Sequence, residues 1–269
     1  MNRHLPTIAT CALLLLSSLA QADQRKSLVL GEYGIGFLNP GLEIKLRQDL
    51  PNRNVARDKT RMTATSSQTA KPVTVGSDEF TSKYAIVGKT GDTLERYVLL
   101  VSSPQSDRLV FKIDRVINYP NALARPKADD MLYMLGRRWG EPANGGLPKK
   151  LVAGETLRFV WYFAKDGSRY DRFGGCDGIR SIGQSVQAYS LDLSEQVKSA
   201  NQSECNAFVS AEISVDSDMF VSAANFTAYS NAALNAALKR DSAALDAKLA
   251  DIVAKTVTTG RRVVAPPKL

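Results

Sequence analysis

Reactive side chains are few in this chain of 269 residues. Once residues 1–22 are set aside, which takes away His4 and Cys11, the remaining 247 residues contain no histidine and two cysteines, Cys176 and Cys205. Without an imidazole there is no Ser-His-Asp hydrolysis and no His-coordinated zinc. No metal and no cofactor is expected. Two cysteines 29 positions apart are expected to form a disulfide in an oxidising compartment. Closing a loop of that length contributes roughly 3–4 kcal/mol in the chain-entropy model. A redox-active pair would sit closer, as C-x-x-C, and that pattern is absent.

Carboxylates are the remaining route to catalysis, because a glycosidase needs only two Asp or Glu side chains about 5–9.5 Å apart. Glu155 precedes an aromatic strand and Asp171 and Asp177 follow it, with Trp161, Tyr162 and Tyr170 at hand to stack on a sugar. Asp166, Asp171 and Asp177 do not have the spacing of a calcium loop, and Arg169 and Arg172 between them oppose a cation. Gly88-Lys89-Thr90 ends like a phosphate-binding loop, but Lys83 stands where that motif requires its first glycine. Lys89-Thr90-Gly91 matches one motif of the serine β-lactamases and penicillin-binding proteins, yet no serine has the required lysine three positions on. A glycine-flanked turn explains both matches.

Charge is distributed unevenly. Beyond residue 22 the chain carries 34 Lys and Arg against 27 Asp and Glu, a net charge of +7. Residues 45–72 hold Lys45, Arg47, Arg53, Arg57, Lys59, Arg61 and Lys71 against Asp49 and Asp58, and the tail 261–269 adds Arg261, Arg262 and Lys268. Those two stretches account for the whole excess. Arg53, Arg57, Lys59 and Arg61 are therefore the candidate contact to an anionic surface such as lipid headgroups or cell-wall polymer. Nucleic acid is not the expected partner, since residues 45–72 contain no aromatic side chain to stack on a base.

The leader and the element pattern position these residues. Residues 1–22 combine Arg3, an apolar run through Leu13-Leu14-Leu15-Leu16 and the small-x-small site Ala20-Gln21-Ala22, the pattern of a cleavable signal peptide. A periplasmic or secreted protein is expected, with no transmembrane segment after cleavage. Residues 23–120 read as β-rich around an irregular basic segment at 45–72. Within them, residues 83–118 read as an antiparallel meander whose last strand sends Leu109, Phe111 and Ile113 to one face and Val110, Lys112 and Asp114 to the other. Residues 121–260 read as α+β. A helix over 128–139, with Met131, Leu132, Leu135 and Trp139 on one side, stops at Gly140-Glu141-Pro142. The strand Leu157-Arg158-Phe159-Val160-Trp161-Tyr162-Phe163 is apolar enough to be covered on both faces. Over about 35 residues this order of helix, Gly-x-Pro and aromatic strand resembles the small outer-membrane assembly lipoproteins of bacteria. The resemblance implies a local fold and no activity, and the lipid-anchored cysteine of those proteins has no counterpart here.

Further on, residues 186–193 read as a strand, and residues 209–223 as a hairpin turning at Asp216-Ser217-Asp218. A long helix then begins at Ser230 or Asn231, with Leu234, Leu238, Leu245, Leu249 and Ile252 on one stripe and Lys, Arg and Asp on the exposed side. The expected fold class is α+β: an antiparallel sheet of meander and hairpins covered by a long C-terminal helix, with one disulfide. The expected function is that of an exported, non-enzymatic cell-envelope binding or accessory protein that contacts an anionic envelope surface or an envelope protein. The competing expectation is a carboxylate-dependent hydrolase of envelope polysaccharide using Glu155, Asp171 and Asp177.

Overall fold

The computed structural model describes residues 28–30, 33–37, 53–67, 72–172, 175–200 and 203–261. The signal-peptide reading with Ala20 and Ala22, residues 45–52 and 68–71 of the basic segment and the tail beyond Arg261 lie outside the described residues. Thirteen strands are described. Short β1 (Val29–Leu30), β2 (Tyr33–Gly34) and β3 (Gly36–Phe37) precede β4 (Arg53–Thr60), β5 (Thr63–Ser66) and β6 (Val73–Gly76). The meander is β7 (Phe80–Thr90), β8 (Thr93–Val101) and β9 (Leu109–Asn118). Helix α1 (Ala128–Trp139) leads to β10 (Thr156–Ala164) and β11 (Arg169–Tyr170). Helices α2 (Asp177–Ser185) and α3 (Ser194–Ala200) precede the hairpin β12 (Cys205–Val215) and β13 (Val221–Ser230), and α4 (Asn231–Arg261) follows.

One antiparallel sheet organises the molecule, in the order β11-β10-β12-β13-β9-β8-β7-β4, with β3 paired to β9 at one end. The pairing of β9 with β13 carries the sheet across residues 120–127, so the meander and the later hairpin share one set of hydrogen bonds. The fold is thus the α+β class, with the C-terminal helix packed on the sheet and a disulfide joining Cys176 and Cys205.

Both faces of the sheet are apolar, and each has its own cover. On one face α1 and the β1–β2 hairpin lie over Tyr84, Ile86, Tyr97, Leu99, Ile113 and Trp161. On the other, α2, α3, α4 and the β5–β6 hairpin lie over Leu100, Phe111, Tyr162, Phe208 and Tyr229. In β10 the neighbours Trp161 and Tyr162 point to opposite faces and neither meets solvent. The expected alternation of β9 does not hold. Leu100 pairs with Lys112 but Val101 pairs with Val110, so Phe111 is the extra residue of a β-bulge. The insertion reverses the phase: Leu109 and Phe111 face the α4 side, whereas Ile113 and Ile117 face the α1 side. Lys112, expected on a wet face, is buried; it pairs with Asp114 at 3.3 Å and donates to the Val186 carbonyl at 3.0 Å.

Two further expectations are corrected. Residues 186–193 form no strand; α2 ends at Ser185 and the chain continues as a loop into a short 3-10 turn, Leu191–Leu193. The helix before it is carried by Ile179, Ile182 and Gly183 on one side, and a Cβ on Gly183 would stand 2.4 Å from the Phe208 ring, so glycine is what lets α2 reach the sheet. Residues 53–66, read as irregular, are strands β4 and β5. Strand β4 lacks an apolar rhythm because it is the outermost strand, where charged side chains blunt the open edge.

The opposite edge is guarded differently. After the turn at Gly140, whose φ is positive, the loop to Pro148 folds along β10: Asn144 Nδ2 donates to the Arg158 carbonyl at 2.8 Å and its Oδ1 accepts from the Val160 amide at 3.0 Å, while the Ala143 amide donates to the Val160 carbonyl. The Asn144 side chain thereby imitates a strand's peptide group. Helix α4 is fixed in a comparable way. Ser230 Oγ caps it by accepting from the Ala233 amide at 3.2 Å. Asp241, expected on its exposed side, is fully buried and accepts from Ser103 and Ser106 Oγ, both at 2.6 Å, and from the Tyr189 hydroxyl at 2.5 Å. Burial, and then the bond to Asp241, push the Tyr189 phenol far above its usual range, so it stays a donor.

Removing either anchor has a readable consequence. Asp241→Ala removes the acceptor of the buried Ser103 and Tyr189 hydroxyls, while Ser106 Oγ keeps the Ala237 carbonyl; each unsatisfied hydroxyl costs about 1–3 kcal/mol, and the urea-denaturation midpoint should fall by the equivalent of about 2 kcal/mol or more. Asn144→Ala exposes the β10 edge, and light scattering during refolding should show association that the unaltered chain lacks.

Candidate functional site

The sequence-selected residues are scattered over the fold. Cys176, at the N-terminal end of α2, and Cys205, at the first position of β12, are joined, with Cα atoms 5.6 Å apart. Since Cys205 pairs in register with Ala164, the bridge ties α2 to the end of the aromatic strand as well as to the hairpin entry. Both cysteines are buried, which suits a structural cross-link.

Of the basic quartet, Arg53 and Arg57 lie on the same face of β4, the α1 side, two and four positions along with Val55 between them. The Arg57 guanidinium lies 5.8 Å from the centre of the Tyr84 ring. Lys59 lies opposite a bulge in β7, where Ser82 is the extra residue, and pairs with Glu79 at 3.0 Å, and this pair holds the Glu79 carboxyl below its ordinary range. Arg61 is exposed in the turn to β5. Neighbouring Asp58 pairs with Lys83 at 2.9 Å.

The carboxylates do not assemble as expected. Glu155 stands just before β10, whereas Asp171 follows Tyr170, which pairs with Tyr162 near the other end of that strand. Seven residues of extended chain separate them by about 20 Å, well outside the 5–9.5 Å window. Asp171 accepts from Arg169, Asp166 caps its own turn by accepting from Ser168, and Asp177 opens α2. Among the described residues no group of three or more His, Cys, Asp and Glu gathers to hold a metal ion.

A recess absent from the sequence reading lies between α1 and the sheet. It has a volume of about 250 Å³. Ile117 and Phe226 form its floor, and Leu30, Met131, Leu135 and Trp139 its apolar walls. Arg115 enters from β9 and Arg138 from α1, and Tyr119 and Met134 complete the lining. The register explains the position of Arg115. It sits in the row Tyr97, Arg115, Phe226, and Ala211 of one sheet face, a charged side chain among apolar neighbours.

Its surroundings hold it in place. Arg115 Nη2 donates to Glu95 Oε1 at 3.2 Å, the Tyr97 hydroxyl donates to Glu95 Oε2 at 2.9 Å, and the guanidinium lies 5.4 Å from the Tyr97 ring centre. Its Nε is shielded from water and has no hydrogen-bond partner. Arg138 donates to the Val29 carbonyl and lies 5.1 Å from the centre of the Trp139 ring. The apolar walls, and then the like charge of Arg115, lower its pKa from the ordinary guanidinium range, although it stays charged. Burial raises the Tyr119 phenol, with Arg115 opposing. Ile113, Arg115 and Ile117 alternate in β9, and Met131, Leu135 and Arg138 fall at i, i+4 and i+7 in α1; a charge in phase with an apolar stripe was the available signal.

No family of proteins, curated protein or solved structure matches this chain. No helix among the described residues is long and apolar enough to cross a membrane. The disulfide is open to direct test. Cys176→Ser with Cys205→Ser should lower stability by about 3–4 kcal/mol, the entropy of a loop of this length, measured as a shift in thermal and urea midpoints. Reductant should reproduce the shift in the unaltered chain and leave the double variant unmoved.

Proposed function

We propose that this chain is an exported, non-enzymatic binding protein of the cell envelope. The recess under α1 is the observation that carries the reading. Its lining offers two guanidinium groups and a phenol against apolar walls, and includes no serine, threonine, cysteine, aspartate or glutamate to act as nucleophile or general acid. Such a surface can hold and orient a molecule. The leader pattern of residues 1–22 and the disulfide support export to a periplasmic or secreted destination. The hydrolase alternative is weaker because Glu155 stands far from Asp171.

Arg53, Arg57, Lys59 and Arg61 supply the contact to an anionic envelope surface, with Lys59 exchanging Glu79 for that surface. Exposed ion pairs are weak enough for such exchange. The test is co-sedimentation of the chain beyond residue 22 with isolated bacterial envelopes and with purified sacculi, at low and at high salt. Pelleting at low salt that is lost at high salt, and lost when all four cations are changed to Gln, is the expected result. Absence from the pellet at every salt concentration overturns the envelope reading.

A further inference from the structure

We propose that the recess between α1 and the sheet binds a short apolar carboxylate, with its head at Arg138 and Arg115 and its body against Trp139, Phe226, Leu135 and Met131. The inference rests on the binding-protein reading and adds the class of ligand. Charge decides the head group. Glu95 already balances Arg115, while among the described residues no carboxylate pairs with Arg138, which meets only the Val29 carbonyl and the Trp139 ring. One positive charge without a carboxylate partner among the described residues, at the mouth of an apolar recess, matches a monoanion. A phosphate monoester carries about −1.5 to −2 at neutral pH and would leave excess negative charge against the apolar walls.

Geometry decides the body. A guanidinium takes a carboxylate through two parallel N–H donors, and Arg115, fixed by Glu95 and the Tyr97 ring, is ready to serve before any ligand arrives. At roughly 30 Å³ for each small group, about 250 Å³ accommodates on the order of eight non-hydrogen atoms, the carbon body of such a ligand with its carboxylate oxygens at the open mouth. That suits a medium-length aliphatic chain and is too small for most drug-sized ligands, whose pockets run from about 300 to 1,000 Å³. Met131 and Met134, unbranched and adaptable, line the same recess.

Octanoate is the probe, titrated calorimetrically into the chain beyond residue 22, with octan-1-ol, octyl phosphate and octylamine as comparisons. Saturable octanoate binding at least tenfold tighter than octan-1-ol is expected, with octyl phosphate weaker than octanoate and octylamine not bound. Arg115→Gln strips Glu95 of its cationic partner and threatens the fold, so the informative variant is Arg138→Gln at the exposed mouth. It should weaken octanoate about tenfold, leave octan-1-ol unchanged and leave the circular dichroism spectrum as it was. Equal binding of octanoate and octan-1-ol, octyl phosphate as tight as octanoate, no heat from octanoate with a natively folded chain, or an indifferent Arg138→Gln variant would each overturn the proposal. The envelope reading fails separately: co-sedimentation depends on the β4 cations, so loss of pelleting with octanoate binding intact rejects that reading alone, and the converse rejects this one alone.

Discussion

Trp161 and Tyr162 are consecutive in one strand, point to opposite sides of the sheet and are both withdrawn from water. A sheet built of such strands must be covered twice. At roughly 25 cal/mol per Å² of apolar surface, leaving either face open would forfeit more than the marginal stability of an ordinary domain. The remaining architecture answers that requirement. Helices α2, α3 and α4 with the β5–β6 hairpin form one cover, and α1 with the β1–β2 hairpin forms the other. The bulge at Phe111 belongs to the same logic, since it delivers Phe111 to the α4 side and Ile113 to the α1 side.

Two-sided covering leaves no wet face on the central strands, so ionisable residues that fall in phase with the apolar positions must find partners inside. Each of four does so differently. Lys112 finds Asp114 and a carbonyl of the loop after α2. Asp241 finds three hydroxyls and so locks α4 to the loop between β8 and β9 and to Tyr189. Arg115 finds Glu95 and the Tyr97 ring. Among the described residues Arg138 finds only a carbonyl and an indole face. Since a buried unpaired charge is the costly case, the first three are compensated in place, and the fourth stands at the mouth where water or a ligand can complete it.

The sequence makes legible what depends on unbroken periodicity or on covalent chemistry. The meander β7–β9, strand β12 with its turn at 216–218, helix α1 with its stop at Gly140, helix α4 and the Cys176–Cys205 bridge all appear where the pattern put them, whereas β13 runs on from 223, where the hairpin was expected to end, to Ser230. Helix α2 does not stand out, because its nine residues include two glycines and two serines and only the sheet it rests on makes it a helix. Strand β4 lacks an apolar period because an edge strand is held by one neighbour and protected by charge. The bulge in β9 is invisible to an alternation count that assumes it absent. For Asp241, assigning the charges of α4 to the solvent side concealed what its burial shows.

Why the recess lies on the α1 side follows from the lengths of the covers. Helix α4 has 31 residues, with Leu234, Leu238 and Leu245 buried along it, and it is joined by two more helices and a hairpin. Helix α1 has 12 residues and spans about 18 Å, while eight strands at about 4.8 Å spacing extend about 34 Å across. The β1–β2 hairpin must supply the rest of that cover, and the recess opens at the seam, with Leu30 from the hairpin on one wall and Met131, Leu135 and Trp139 from the helix on another. A seam that served packing alone would be most cheaply closed by leucine or phenylalanine. Two guanidinium groups stand there instead, one held rigidly by an ion pair and one at the exposed mouth, and the proposed binding role would account for that choice where packing does not.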